Sequence, residues 1–189
     1  YGINKERKTE IKEFESIDAT KVVVANKKLY FNKEEGFIGT GMRKDEYVCE
    51  CSDIDDIIVF KQDGSMKVVK VDSKVFVGKG IIHAAVFKKK DTRTIYNMIY
   101  SDGKSGYSMM KRFNVSSITR NKDYFLTKSE KGSKVIYFTA NPNGEAETVT
   151  VHLRKLQKLK ILKFDYDFAQ LAIKGKGSVG NILTKNKVK

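Results

Sequence analysis

Ile57-Ile58-Val59-Phe60 leading into Asp63-Gly64 is the stretch that decides the fold. An apolar run ends in an Asp-Gly pair, and a second run follows. Asp-Gly between apolar runs signals a β-hairpin, because glycine accepts the positive φ of a tight turn without steric cost. The arrangement recurs on both sides. Leu29-Tyr30-Phe31 leads into Glu35-Gly36, Ile95-Tyr96-Asn97-Met98-Ile99-Tyr100 into Asp102-Gly103, and Val135-Ile136-Tyr137-Phe138 into Asn141-Pro142-Asn143-Gly144. Pro142, the only proline, falls inside its turn, where its fixed φ helps and its missing N–H does no harm. The turn glycines stand 28, 39 and 41 residues apart. A recurrence near 40 residues matches a small four-stranded sheet repeated as a blade.

Strand periodicity supports this. Val149, Val151 and Leu153 alternate with Thr148, Thr150 and His152. Leu153, Leu156, Leu159 and Leu162 recur every three residues and could read as a helix. The β-favouring Ile161, Phe164, Tyr166 and Phe168 argue instead for a loop running into a strand from about Leu159. Residues 1–20 read as a charged lead-in without register, and 21–189 as the folded domain. The predicted architecture is all-β: a radial, propeller-like array of four-stranded blades. An ordinary β-sandwich with several hairpins is the alternative.

The chain has 189 residues, 40% of them hydrophobic, enough for one domain or compact array. Lys and Arg number 37 against 23 Asp and Glu, a net charge of +14. Such self-repulsion destabilises a compact fold, so the excess points to a polyanionic partner: nucleic acid or an anionic membrane surface. No apolar run approaches the ~20 residues of a membrane span, and no basic amphipathic helix stands out. Nucleic acid is therefore favoured. The first residues are charged, which argues against a signal peptide, and a chain opening on Tyr1 reads as an excised fragment. Cys49 and Cys51 are too close in sequence for a good disulfide and lack a nearby histidine for zinc. They are expected as free thiols of a reducing cytoplasm.

Gly175-Lys176-Gly177-Ser178-Val179-Gly180 matches G-x-G-x-x-G, but a dinucleotide site needs a helix after that loop. Asn181-Ile182-Leu183-Thr184 reads as a strand, so the segment is a basic, glycine-rich β-connection. Gly36 through Gly41 reads the same way. Asp53, Asp55 and Asp56 read as an acidic turn before a strand rather than a metal site. His83 and His152 have no triad partners in sequence. No catalytic, cofactor-binding or metal-binding residue is expected.

The basic residues are more informative. Arg43-Lys44, Lys88-Lys89-Lys90, Lys111-Arg112, and Lys174 with Lys176 form clusters, and Arg154, Lys155, Lys158, Lys160 and Lys163 are spread along one stretch. Clusters recurring in successive repeats would form a belt that meets phosphates at intervals and carries no base code. The candidate DNA-contacting residues are Arg43, Lys44, Lys67, Lys70, Lys111, Arg112, Lys174, Lys176 and Lys185. Of these, Lys111, Arg112, Lys174 and Lys176 are expected at an outer rim. Lys88, Lys89 and Lys90 are expected on a mobile loop and to matter less. Most of the 20 Tyr and Phe belong in strand cores, with stacking on single strands a weaker reading.

Several stretches resemble the A subunit of bacterial type II DNA topoisomerases, on the topoisomerase IV side of that family. They are Glu6-Arg7-Lys8-Thr9-Glu10-Ile11, Glu35 through Gly41, Cys51 through Phe60, Phe138 through Ala146, and Ile173 through Lys185. The resemblance implies a β-pinwheel, a propeller-like disc that binds and bends double-stranded DNA on its basic rim, here incomplete with about four blades. It implies a non-catalytic domain without a cofactor of its own. The cleavage tyrosine would lie upstream in the same polypeptide, and ATP and magnesium would belong elsewhere in a heterotetramer with the B subunit. The location implied is cytoplasmic, with the chromosome and away from membranes. No intact Arg-Arg-Gly-Gly-Lys box of the gyrase type is present. Lys174 through Asn181 resembles a degenerate version, which implies bending rather than full wrapping. A basic propeller-like protein-interaction module without a DNA role is the competing reading.

Overall fold

The computed structural model describes residues 25–42, 44–155 and 159–189. The expected lead-in over 1–20 lies outside them. The described chain is all-β, with one short 3-10 turn at Phe168–Gln170. Its strands are β1 (Lys27–Asn32), β2 (Phe37–Gly39), β3 (Glu46–Cys51), β4 (Asp56–Lys61), β5 (Ser65–Lys70), β6 (Val75–Phe76), β7 (Ile81–Phe87) and β8 (Ile95–Ser101). There follow β9 (Ser108–Asn114), β10 (Asp123–Phe125), β11 (Lys134–Asn141), β12 (Thr148–His152), β13 (Lys163–Asp167), β14 (Lys174–Gly175) and β15 (Asn181–Thr184).

They form four small sheets, not the two of a sandwich. The first runs β3-β1-β2-β6, the second β10-β5-β4-β7, and the third β11-β8-β9 with β14 and β15 both on β9. The fourth is the pair β12-β13. One threading rule builds the first three. A hairpin (β1–β2, β4–β5, β8–β9) forms the centre. A following strand (β3, β7, β11) pairs with the first hairpin strand. The opposite edge is filled by a return strand. In the first two sheets this is β6 or β10, antiparallel to the hairpin; in the third it is β14, parallel to the end of β9, together with β15, antiparallel to its start. Each arrives only after the chain has laid down the hairpin of the next sheet. Successive sheets are thereby interlocked.

Each hairpin tip is fixed by an Asn or Asp side chain. Asn32 Oδ1 accepts from Glu34 N–H and Glu35 N–H, Asp63 Oδ1 from Ser65 N–H at 2.9 Å, and Asp102 Oδ2 from Ser105 N–H at 2.9 Å. These are local turns that compete well with a continued ladder. Two glycines serve for different reasons. Gly36 has φ +79°, and a Cβ there would overlap the backbone of Gly78. Gly103 is not in the positive-φ region. Its missing Cβ makes room for the carbonyl of Lys131, while Gly106 takes the positive φ of that turn.

The continuous apolar runs follow from the stacking. Ile57 and Val59 of β4 pack with Leu29, Ile38 and Cys51 of the first sheet, whereas Ile58 and Phe60 pack with Tyr96, Met98 and Tyr100 of the third. Ile99 and Met110 of the third sheet meet Val151 and Phe168 on the far side. An interior sheet is covered on both faces, so both sets of alternating side chains must be apolar. Burying the four side chains Ile57 to Phe60 contributes roughly 6–12 kcal/mol relative to exposure.

Two expectations need correction. The turn at Asn141–Gly144 forms, with Gly144 N–H donating to Asn141 O, but it does not close a hairpin. β11 pairs with β8 and β12 with β13, because β11 completes the third sheet before the chain leaves for the fourth. The strand expected from about Leu159 begins at Lys163 and ends at Asp167, where the Asp167 side chain accepts from Ala169 N–H and opens the 3-10 turn. Cys49 and Cys51 are free, as expected.

Candidate nucleic-acid interface

Basic charge follows the return strands. Residues 73–80, around β6, carry Lys74 and Lys79 and no acid. Residues 119–128, around β10, carry Arg120, Lys122 and Lys128 against the single Asp123. Residues 173–180, around β14, carry Lys174 and Lys176 and no acid. Each segment is thus net +2. All of these cations are exposed except Lys176, which is half-buried.

The three segments join into one band. Between β6 and β10 lies a shallow groove of about 250 Å³ lined by Lys61, Lys67, Asp123 and the exposed rings of Phe76 and Phe125. Lys61 and Lys67 share Asp123, at 3.5 and 2.9 Å. With Asp63 also on the lining, the groove balances two ammonium groups against two carboxylates, so the positive excess comes from the flanking cations. Between β10 and β14, Lys122 and Lys176 each stand 5.4 Å from the Tyr124 ring centroid, and Lys176 Nζ donates to Ser117 O at 2.7 Å. Bonds to the Tyr124 hydroxyl from Thr119, with help from the two lysines, hold its pKa below the usual phenol value. Among the described residues only Lys27, Lys61, Lys67 and Arg120 make ion pairs.

Residues 28–189 match the family described as Topoisomerase C-terminal domain, Bacteroidota. The chain belongs to the topoisomerase C-terminal domain family. It is also similar to the A subunit of DNA topoisomerase 4 from Borreliella burgdorferi, at 25% identity over 191 residues. That alignment takes in 100% of this chain and 28% of the relative, so the chain spans little more than a quarter of that protein's length.

In this topoisomerase C-terminal domain the nine expected contact residues are not brought together as one set. Arg43 lies outside the described residues. Lys44 is exposed in the turn before β3, on the other side of the first sheet from β6. Lys67 and Lys70 lie on β5 beside the return strand β10; Lys70 is exposed and Lys67 is paired with Asp123. Lys174 and Lys176 belong to the band, and Lys185 is exposed just after β15. The rim expectation fails for Lys111, which is 2% exposed. Lys111 shares a strand face with Met109 and Phe113, and that face meets the second sheet. Arg112, half-buried, donates from Nη2 to Gly144 O at 2.7 Å and so braces the turn after β11. Lys88, Lys89 and Lys90 occupy a turn between β7 and β8, closed by Asp91 N–H on Lys88 O and tied to the chain after β9 by Lys90 N–H on Ser116 O.

Sequence reasoning missed Lys74, Lys79, Arg120 and Lys122. Their signal is weak, because each flanks a strand of only two or three residues. The acidic trio is a set of local contacts: Asp53 with Lys27, Asp55 with Ser52 N–H, and Asp56 with Arg120.

Proposed function

We propose that this chain is the non-catalytic DNA-binding and DNA-bending domain of a type II DNA topoisomerase A subunit, of the topoisomerase IV kind. In this reading residues 21–189 form a β-pinwheel disc whose return strands make the rim, and double-stranded DNA runs along it. Presented this way, a DNA segment reaches the cleavage core of the same polypeptide. ATP and magnesium act elsewhere in the assembly with the B subunit, beside the chromosome in the cytoplasm.

The observation that carries the reading is the net +2 on each of three consecutive return segments, joined side by side. A run of cations on successive repeats, with no α-helix among the described residues to enter a groove, suits phosphates and carries no base code. Bending 20–30 bp through 40–90° costs on the order of 1–6 kcal/mol, which extra phosphate contacts along a curved band offset.

Duplex affinity measured at 50 and 200 mM salt tests it. Six phosphate contacts predict a fall of roughly 10³-fold between the two. A flat response would favour the protein-interaction module, for which the exposed Tyr47 and Phe76 of the first sheet would be the starting point. End-to-end energy transfer on a labelled duplex of about 40 bp, roughly a quarter of the persistence length, reads the bend. The ends should approach on binding. The chain alone should leave supercoiled plasmid unrelaxed.

A further inference from the structure

We infer that Lys111, together with Tyr100, is a positioning residue of the DNA-binding band: from inside the third sheet the two side chains clamp the segments 126–128 and 176–179 to each other. The inference rests on the DNA-binding reading above.

Lys111 Nζ donates to Leu126 O at 3.0 Å and to Lys176 O, and it faces the Phe113 ring at 4.8 Å from the centroid. Tyr100, on the neighbouring strand, donates from its hydroxyl to Val179 O at 2.6 Å and accepts from Lys128 N–H at 3.2 Å. Leu126 and Lys128 belong to the exit of β10, the return strand of the second sheet. Lys176 and Val179 belong to the loop between β14 and β15. The same two segments are therefore joined twice, by side chains of β9 and β8. No backbone hydrogen bond among the described residues joins them directly.

Stability alone does not explain a lysine here. None of the ion pairs among the described residues includes Lys111, so its ammonium is compensated by two carbonyls and a ring. A buried charge without a counter-ion destabilises a fold, and an apolar side chain of similar length often serves better. Burial accordingly pushes the Lys111 pKa down to about 8. What the lysine supplies is direction. It holds Lys176 beside Tyr124 and so sets the spacing between the Arg120–Lys122 pair and the Lys174–Lys176 pair. Phosphates along a duplex are evenly spaced, and a band whose two halves drift cannot meet them together.

The test uses the full 189-residue chain with Lys111→Met and Tyr100→Phe. Lys111→Met should stay folded, and at pH 7 it should resist urea at least as well as the wild type. Its plot of log affinity against log salt should be shallower by about 1.8, the loss of two phosphate contacts, although Lys111 itself never reaches a phosphate. Tyr100→Phe removes one oxygen and should move the slope the same way by less. Amide exchange over 126–128 and 176–179 should quicken together in both variants. A slope unchanged in both variants overturns the positioning role. If the wild type binds no duplex while exchange still quickens in both segments, the clamp stands and the DNA-binding reading fails by itself.

Discussion

The following strands and the return strands are both sheet edges, yet they are composed differently. β3 carries Glu46 and Glu50 and no cation, β7 has no Lys, Arg, Asp or Glu, and β11 has Lys134 alone. The return segments around β6, β10 and β14 are each net +2. Lysines on exposed edges commonly guard against edge-to-edge association. That explanation applies to both edges and predicts cations on both. Cations do stand on both sides, Lys134 and the Lys88–Lys90 turn with the following strands and Lys74, Lys122 and Lys174 with the return strands, so edge protection can serve both. What sets the return segments apart is that they adjoin one another. The comparison also shows how the chain separates two tasks. The following strands, six to eight residues long, complete the sheets. The return strands, two or three residues long, bind weakly by ladder and are held by tip contacts and side-chain clamps. Apart from Lys174 on β14, their cations sit on the flanks, outside the ladder.

The largest effect expected from this asymmetry is on DNA affinity. Lys74→Glu, Lys122→Glu and Lys174→Glu combined, one change per return segment, should weaken duplex binding by at least about 100-fold near 0.1 M salt. The matched reversal of Lys88, Lys89 and Lys90, in the turn after a following strand, should cost less than about tenfold. Equal losses in anisotropy titrations would erase the distinction between the edges.

The next effect concerns how the return segment is seated. Gly36→Ala places a Cβ into the Gly78 backbone, just beyond β6, and also strains a φ of +79°. It should destabilise the fold by about 3 kcal/mol or more in urea unfolding. Gly106→Ala has a φ of +69° but open space around it, and should cost roughly 1–2 kcal/mol. Similar values for the two would mean that tip packing does not seat the return strand.

The tips are legible in the sequence and the return strands are not, for a physical reason. Asp63-Gly64 and its relatives are local signals, because the Asx side chain and the glycine act within four residues. Val75–Phe76 and Asp123–Phe125 are too short to show period-2 alternation, and their partners are chosen by threading through the next sheet. The same non-locality hides the end of β11. Lys111 is easily misplaced because a Lys-Arg pair looks like surface. The alternation of Met109, Lys111 and Phe113 on an apolar face is the available warning. Gly175 through Gly180 is legible as a β-connection, since the strand after it is visible.

A smaller effect is read by pH. Lys111 has a folded-state pKa depressed from 10.5 to about 8 by burial. The unfolded chain therefore binds more protons between those values, and stability rises with pH across that window. Relative to Lys111→Met, the wild type should gain on the order of 2 kcal/mol between pH 7 and pH 9.5. Parallel stability curves for the two proteins would show that the ammonium is not buried in solution.

The most direct test compares the return edge with lysines elsewhere in the sheets, Lys28 on β1 and Lys134 on β11, in the unmodified protein. Lysine acetylation, read by mass spectrometry with and without random duplex DNA, reports which ammonium groups the duplex covers. Protection is expected at Lys74, Lys122 and Lys174 on the return edge, with Lys28 and Lys134 as reactive as in the free protein. Protection of Lys28 and Lys134 with Lys74, Lys122 and Lys174 left open would mean that the return strands are not the edge that meets DNA.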